Sequence, residues 1–230
     1  MVVALIKDVF RIPEFGYESN VYVFNSDKKA VIIDSGMGFY VGGLIRAINR
    51  LKLREKKILL ILTHAHFDHI GGVYFLRKKL DMKVMMHKVD AIPVELGDAR
   101  VTAAYFLTGA ERIPPLKVDH KLADNERIIV DDWDFRIIHT PGHTAGSICI
   151  FEEKTRTLAS GDTIFSKTIG RTDLPTGNFR QLINSIKKIS LLRVENLLPG
   201  HGHTVLGDAG ERIREIFNAT YESIEKKPVC

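Results

Sequence analysis

The sequence predicts an α/β protein of four layers, an αββα sandwich in which two β-sheets pack face to face and helices cover both outer surfaces. Three observations predict it. Strand-like runs alternate with amphipathic helical runs in two successive series, each passing from strands to helix to strand to helix. No linker or low-complexity segment separates the two series, so residues 1–230 are expected to form a single domain with a substantial core. The composition, 45% hydrophobic and 27% charged, is that of an ordinary globular chain, and no apolar run approaches the ~20 residues that span a bilayer.

The first series opens with "VVALIKDVF". Lys7 and Asp8 interrupt its apolar run and no small-residue cleavage site follows, so it reads as a first strand and not as a signal peptide. "VYVFN" and "AVIID" are the next strands. "FYVGGLIRAINRL" puts Leu44, Ile45, Ile48 and Leu51 on one helical face. "ILLIL" is a buried strand, "GGVYFLRKKL" a helix and "KVMMH" a further strand. Residues 88–118 read as short helical pieces ending at the breaker "IPPLK".

The second series begins with the strands "ERIIV", "WDFRIIHT", "GSICIF" and "TLAS", with Glu153 and Lys154 near a tight turn between the last two. "NFRQLINSIKKISLL" is an amphipathic helix capped by Asn178, with Phe179, Leu182, Ile183, Ile186 and Ile189 facing inward. "ENLLPG" is the last strand and "DAGERIREIFNATYESI" the closing helix. Cys149 lies inside an apolar strand and Cys230 is the last residue, so no disulfide framework is expected and a reducing cytoplasm is. The net charge of +5 is mild and its basic residues are scattered, which implies a solvated surface with a weak pull toward anionic substrates.

"ILLILTHAHFDHIGG" departs from packing logic. Five apolar residues run into His64, His66, Asp68 and His69 within six positions. Such groups repel or desolvate one another unless they share a partner, and a metal ion is the obvious one. His64 and His66, two apart on extended chain, point to the same side, whereas Asp68 and His69 fall where the next helix begins and point elsewhere. One loop can therefore serve two neighbouring ions. Further ligand-type residues recur after apolar runs beside glycine or proline: His143 in "HTPGHT", Asp162 in "ASGDT" and His201 in "LPGHGH". His87, His120, His139 and His203 read as structural, with His203 the nearest of them to the motif.

With "HAHFDH" matching the signature HxHxDH, and His143, Asp162 and His201 following in order, the sequence resembles the metallo-β-lactamase superfamily over essentially its whole length. The resemblance implies a single domain of that superfamily's αββα type. It also implies one ion held by His64, His66 and His143, another by Asp68, His69 and His201, and Asp162 bridging them. Two Zn²⁺ per chain suit this donor set, and iron or manganese fit it too. The implied chemistry is hydrolysis by a metal-bridging hydroxide, with Asp68 as the catalytic carboxylate that orients it and passes a proton to the leaving group. Asp34, ending "AVIID", is expected to support the metal loop by hydrogen bonds.

The segment "GDTIFSKTIGRTDLPTGNF" is similar to that of the glyoxalase II group, hydrolases of thioesters such as S-lactoylglutathione, and to the related persulfide dioxygenases. In that group a basic residue after the motif holds the acidic end of the thiol cofactor. Arg171 occupies the matching place, with Lys167 as a second candidate; the competing reading of Arg171 is a surface ion pair with Asp173. The family tyrosine two positions on is Asp173 here, and one helix follows His201 in place of a further helical domain, so the resemblance is to short, single-domain members acting on a small-molecule acyl-thiol. Asp162 as a bridging ligand belongs to the thioesterase-like and nuclease branches and not to the lactamases. A mononuclear iron persulfide dioxygenase is the alternative. An RNA phosphodiesterase has only the positive charge in its favour, so neither nucleic acid nor membrane is an expected partner.

Overall fold

The structure is a computed structural model that describes residues 2–13, 16–39 and 41–225. Cys230 lies outside them. The first sheet takes its strands in chain order: β1 (Val3–Ile6), β2 (Val9–Ile12), β3 (Val21–Asn25), β4 (Lys29–Ile33), β5 (Lys57–Leu62), β6 (Met82–His87) and β7 (His120–Leu122). Strands β1 to β4 pair antiparallel, and β4 to β7 run parallel. Helices α1 (Gly42–Arg50), α2 (Phe67–Ile70), α3 (Val73–Leu76), α4 (Lys88–Leu96) and α5 (Ala104–Thr108) occupy the connections of the parallel half.

The second sheet contains β8 (Arg127–Val130), β9 (Trp133–His139), β10 (Ile148–Glu152), β11 (Thr157–Gly161), β12 (Asn196–Pro199) and β13 (Val205–Leu206), in the order β13-β12-β11-β10-β9-β8. Helices α6 (Phe179–Ser190) and α7 (Ala209–Glu225) cover its outer face, and Asn178 caps α6 by accepting from the Gln181 amide. No helix among the described residues is long and apolar enough to cross a membrane.

Strand alternation separates three apolar clusters. Ile33 and Ile61 turn inward and meet Phe135, Ile137 and Ile150 of the facing sheet. Their neighbours Ile32 and Leu60 turn outward to Leu44, Ile48, Ile70 and Val94 of the first helical layer. Ile138, Cys149 and Leu158 turn outward to Leu182, Ile186 and Ile213 of the other. Phe24 joins the sheets edge-on to Phe135, with ring centroids 5.1 Å apart. These are the four layers expected.

Several local expectations are corrected. "VVALIKDVF" is two strands, because the chain reverses at Lys7–Asp8 with Asp8 at φ 59°, a conformation aspartate tolerates better than most residues. Ile45 and Phe179 are exposed, since α1 and α6 each pack over a narrower stripe than their spacing offers. The helix expected over "GGVYFLRKKL" contracts to α3. Gly71 and Gly72 lie against the Met37 and Ser35 carbonyls, where a Cβ would stand 2.2 and 2.0 Å from oxygen. The short strands β7 and β13 extend the two sheets beyond the runs read as strands.

Candidate metal centre

Strand β5 delivers Thr63, His64, Ala65 and His66 to the carboxyl end of the first sheet, and α2 carries Asp68 and His69. The loop after β9 brings His143, the end of β11 brings Asp162 and the loop after β12 brings His201. All seven ligand-type residues meet, in three overlapping groups: His64, His66 and His143; His64, His69 and Asp162; and Asp68, His69 and His201. Within each group the donor atoms lie within 4.8 Å of one another. His66 Nδ1 is 2.9 Å from His143 Nε2, and His201 Nε2 is 3.0 Å from Asp68 Oδ2. Asp162 stands between the two ends, with Oδ1 3.2 Å from His69 Nε2 and Oδ2 3.6 Å from both His143 Nε2 and His201 Nε2.

Hydrogen bonds behind the site set the tautomers. Asp34, buried at the end of β4 and at φ 58°, accepts from the Thr63 amide on Oδ1 and from the Thr63 hydroxyl and His69 Nδ1–H on Oδ2. Having donated its proton to Asp34, the Thr63 hydroxyl accepts from His64 Nδ1–H at 3.0 Å. His143 Nδ1–H donates to the Arg171 carbonyl at 2.8 Å. In the neutral ring each of these bonds leaves Nε2 as a lone pair directed at the centre. Asp34 thus reaches His69 directly and His64 by way of the Thr63 hydroxyl.

Burial and charge divide the site. Desolvation, reinforced by His69 and His143, holds His64 well below the usual histidine value; desolvation and His143 push His66 down to about 3. At the other end burial opposes protonation of His69 and His201, but the carboxylates outweigh it: Asp162, Asp34 and Asp68 raise His69, and Asp68 and Asp162 raise His201. Burial likewise opposes ionisation of Asp68 and Asp162, yet His69 and His201 keep both below the usual carboxylate range. His64 Nε2 and His66 Nε2 are buried without a hydrogen-bond partner. A buried polar atom left so costs about 1–3 kcal/mol, and converging imidazole and carboxylate donors remove that cost by coordinating a cation. The residues fit a metal centre.

Glycines let the loops close on it. A Cβ on Gly200 would stand 2.1 Å from Asp162 Oδ1, and one on Gly170 would stand 1.8 Å from the Asp162 carbonyl oxygen. Asn20 Nδ2 and the Tyr22 hydroxyl hold the His201 loop from the first sheet by donating to the Pro199 carbonyl.

One residue of the centre goes unmarked in the sequence reading. Asp90, in the first turn of α4, is 2% exposed; its Oδ2 accepts from the Ala65 amide and the Thr144 hydroxyl, and its Oδ1 from the Gly146 amide. It ties the loop of His64 and His66 to the loop of His143.

The centre floors a cleft of about 840 Å³. Arg171 stands in its wall, with the guanidinium paired to both carboxylate oxygens of Asp173 at 2.7 and 2.6 Å. Lys167 is exposed and not among the residues lining the cleft. His203 is exposed, His87 stacks on His139 with centroids 4.0 Å apart, and His120 pairs with Glu126; all four lie outside the three groups.

Two facing sheets between helical layers, with histidines and aspartates converging at their edge, define a metallo-hydrolase. The chain belongs to the metallo-beta-lactamase superfamily, whose domain matches residues 15–205. It is similar to the hydroxyacylglutathione hydrolase GloC of Haemophilus influenzae, with 31% identity over 208 residues that cover 85% of this chain and 92% of that one. Among solved structures it resembles the BLEG-1 B3 metallo-beta-lactamase, at 34% identity and a TM-score of 0.76 over 86% of this chain and 93% of that one. It also resembles TTHA1623 in a di-iron-bound form, at 31% identity and a TM-score of 0.71 over 86% and 94%.

Proposed function

We propose that the protein hydrolyses thioesters of small acyl-thiols at a dinuclear metal centre, acting as a single domain. The observation that carries the dinuclear part is the position of Asp162 between His143 on one side and His69 and His201 on the other. One ion would be held by His64, His66 and His143, the second by Asp68, His69 and His201, with Asp162 shared. Similarity to GloC and the segment from Gly161 to Phe179 support the thioester part. The mixed donor set suits Zn²⁺, with iron or manganese as alternatives. The buried free thiol of Cys149 is in keeping with a reducing cytoplasm.

Metal bound there would activate water and polarise the acyl carbonyl. The chain's own residues do the rest. The Asp68 carboxylate, one quarter exposed on the cleft floor and steadied by His201, is ionised and can take a proton from the attacking water. Water oxygen adds to the acyl carbon, the C–S bond breaks, and Asp68 returns the proton to the departing thiolate, giving a carboxylic acid and a thiol. Asp34 keeps His64 and His69 in the tautomers that face the centre. Stripping with a chelator should abolish hydrolysis of S-lactoylglutathione and simple acyl thioesters, Zn²⁺ should restore it, and Asp162→Asn should prevent restoration. Turnover that survives metal removal would overturn the reading; so would inertness toward every thioester combined with oxygen uptake on a persulfide by iron-loaded protein.

A further inference from the structure

The residues above the metal centre say what kind of acyl group the cleft takes. Its floor is polar, made by His66, Asp68, His143, Asp162 and His201. Apart from Arg171 and Asp173, the lining above the floor is largely apolar, with Tyr17, Phe106, Leu107, Phe165, Ile169 and Leu174. Three of these are unusually open for their type, with Tyr17 82%, Phe106 65% and Leu107 47% exposed. Large apolar side chains gathered around one concavity mark a binding surface more than scattered surface hydrophobes do.

The inner side of helix α5 is already taken by residues other than Phe106 and Leu107. Ala104 is fully buried beneath it, and Tyr105 packs against the core with the Arg100 guanidinium 4.8 Å over its ring. The Tyr105 amide donates to the Ala99 carbonyl, and the Thr102 carbonyl accepts from the Phe67 amide at 2.8 Å, which ties the segment to the metal loop. Phe106 and Leu107, the exposed apolar residues of α5, are therefore left to line the cleft.

The charges of the cleft point the same way. Among its described lining residues Arg171 is the one guanidinium or ammonium group, and Asp173 already satisfies its fork at two points. Its remaining N–H donors could take a carboxylate or phosphate tail only beside the Asp173 carboxylate, which opposes a second anion there.

We propose, on the basis of the thioester-hydrolase reading, that the substrate carries an uncharged, straight apolar acyl chain that lies against Phe106 and Leu107 and faces Tyr17, and that Arg171 does not grip an acidic tail. Burying a methylene is worth up to about fourfold in a binding constant, and an open wall recovers about twofold.

The test uses zinc-loaded full chain and acyl thioesters of N-acetylcysteamine, whose thiol is uncharged, from acetyl to decanoyl. The specificity constant kcat/KM should rise about two- to fourfold per methylene until the cleft is filled. Phe106→Ser with Leu107→Ser should cut the octanoyl-to-acetyl ratio by about tenfold or more, Phe106→Leu should retain most of it, and Leu191→Ser, an exposed position outside the cleft, should not change it. Arg171→Ala should leave the ratio of KM for acetyl-CoA to KM for the acetyl N-acetylcysteamine ester within about twofold. Calorimetric binding of the matching S-alkyl thioethers, which cannot be hydrolysed, separates the two levels. A thioether series that tightens with length and depends on Phe106, without turnover of any thioester, would uphold the apolar cleft and sink the thioesterase reading. Turnover with a flat chain-length profile, or a tenfold rise in KM confined to the anionic thioester in Arg171→Ala, would overturn the inference.

Discussion

Asp90→Asn is a nearly isosteric change with an uneven effect on the metal centre. The aspartate accepts three hydrogen bonds at 2.7–2.8 Å from Ala65, Thr144 and Gly146. An asparagine oxygen in the place of Oδ2 still serves Ala65 and Thr144, as a neutral acceptor worth about 1 kcal/mol less for each. Its amide group then faces the Gly146 N–H, donor against donor, which loses a further ~1–3 kcal/mol. Against this, the variant relieves a buried charge, whose desolvation already pushes the Asp90 carboxyl above its ordinary value. A net loss of about 2–3 kcal/mol remains, or ~5–10 °C in Tm for a chain of this size. Ala65 lies between His64 and His66, and Thr144 follows His143, so the disturbance falls first on His64, His66 and His143 and least on Asp68 and His201. Loss of such an outer hydrogen bond typically costs ten- to a hundredfold in metal affinity. Thermal unfolding of metal-free protein and competition with a chromophoric chelator measure the two effects. A variant whose Tm falls while both metals bind as tightly as before would refute the positioning role and leave Asp90 as a brace of the fold alone.

Gly146→Ala should reproduce this loss from the opposite side, since its Cβ would stand 2.4 Å from Asp90 Oδ1 and 2.5 Å from the Asp90 amide nitrogen; the same chelator competition reads it. The histidines should make metal-free stability depend on pH in opposite senses. His66 is pushed down to about 3, so between that value and ~6.5 the unfolded chain binds the extra proton and acid weakens the fold. The denaturant-measured cost of His66→Gln should therefore shrink by about 2 kcal/mol from pH 7 to 5, and a constant cost would contradict the burial of this ring. His201 is raised, so its contribution is complete below ~6.5 and fades as pH rises through its folded value; His201→Gln should cost more at pH 6 than at pH 9.

The metal cluster was legible because four ligand-type residues in six positions have no packing explanation. His143, Asp162 and His201 were marked by their places after apolar runs, but their pairing with particular ions came only from the family resemblance. Asp90 was hidden because its partners are two backbone amides and one hydroxyl, and an aspartate in a first helical turn looks like an ordinary favourable end charge. Phe106 and Leu107 were obscured for the opposite reason. Apolar residues in a short helix read as core until the burial of Ala104 and the cover over Tyr105 show which side is already taken. Ile45 and Phe179 mark the same ambiguity on α1 and α6, where the spacing outlined a face wider than the contact. Arg171 kept two readings in the sequence, and its pairing with Asp173 is a matter of side-chain geometry.

The proposed hydrolysis needs two ions acting together across Asp162. Metal-free protein titrated with Zn²⁺, with bound metal and thioester hydrolysis followed in the same samples, tests it directly. Binding should saturate at two ions per chain, hydrolysis should require the second, and His201→Ala should bind one ion and stay inactive. Saturation at one ion, or full hydrolysis after the first, would contradict the dinuclear centre.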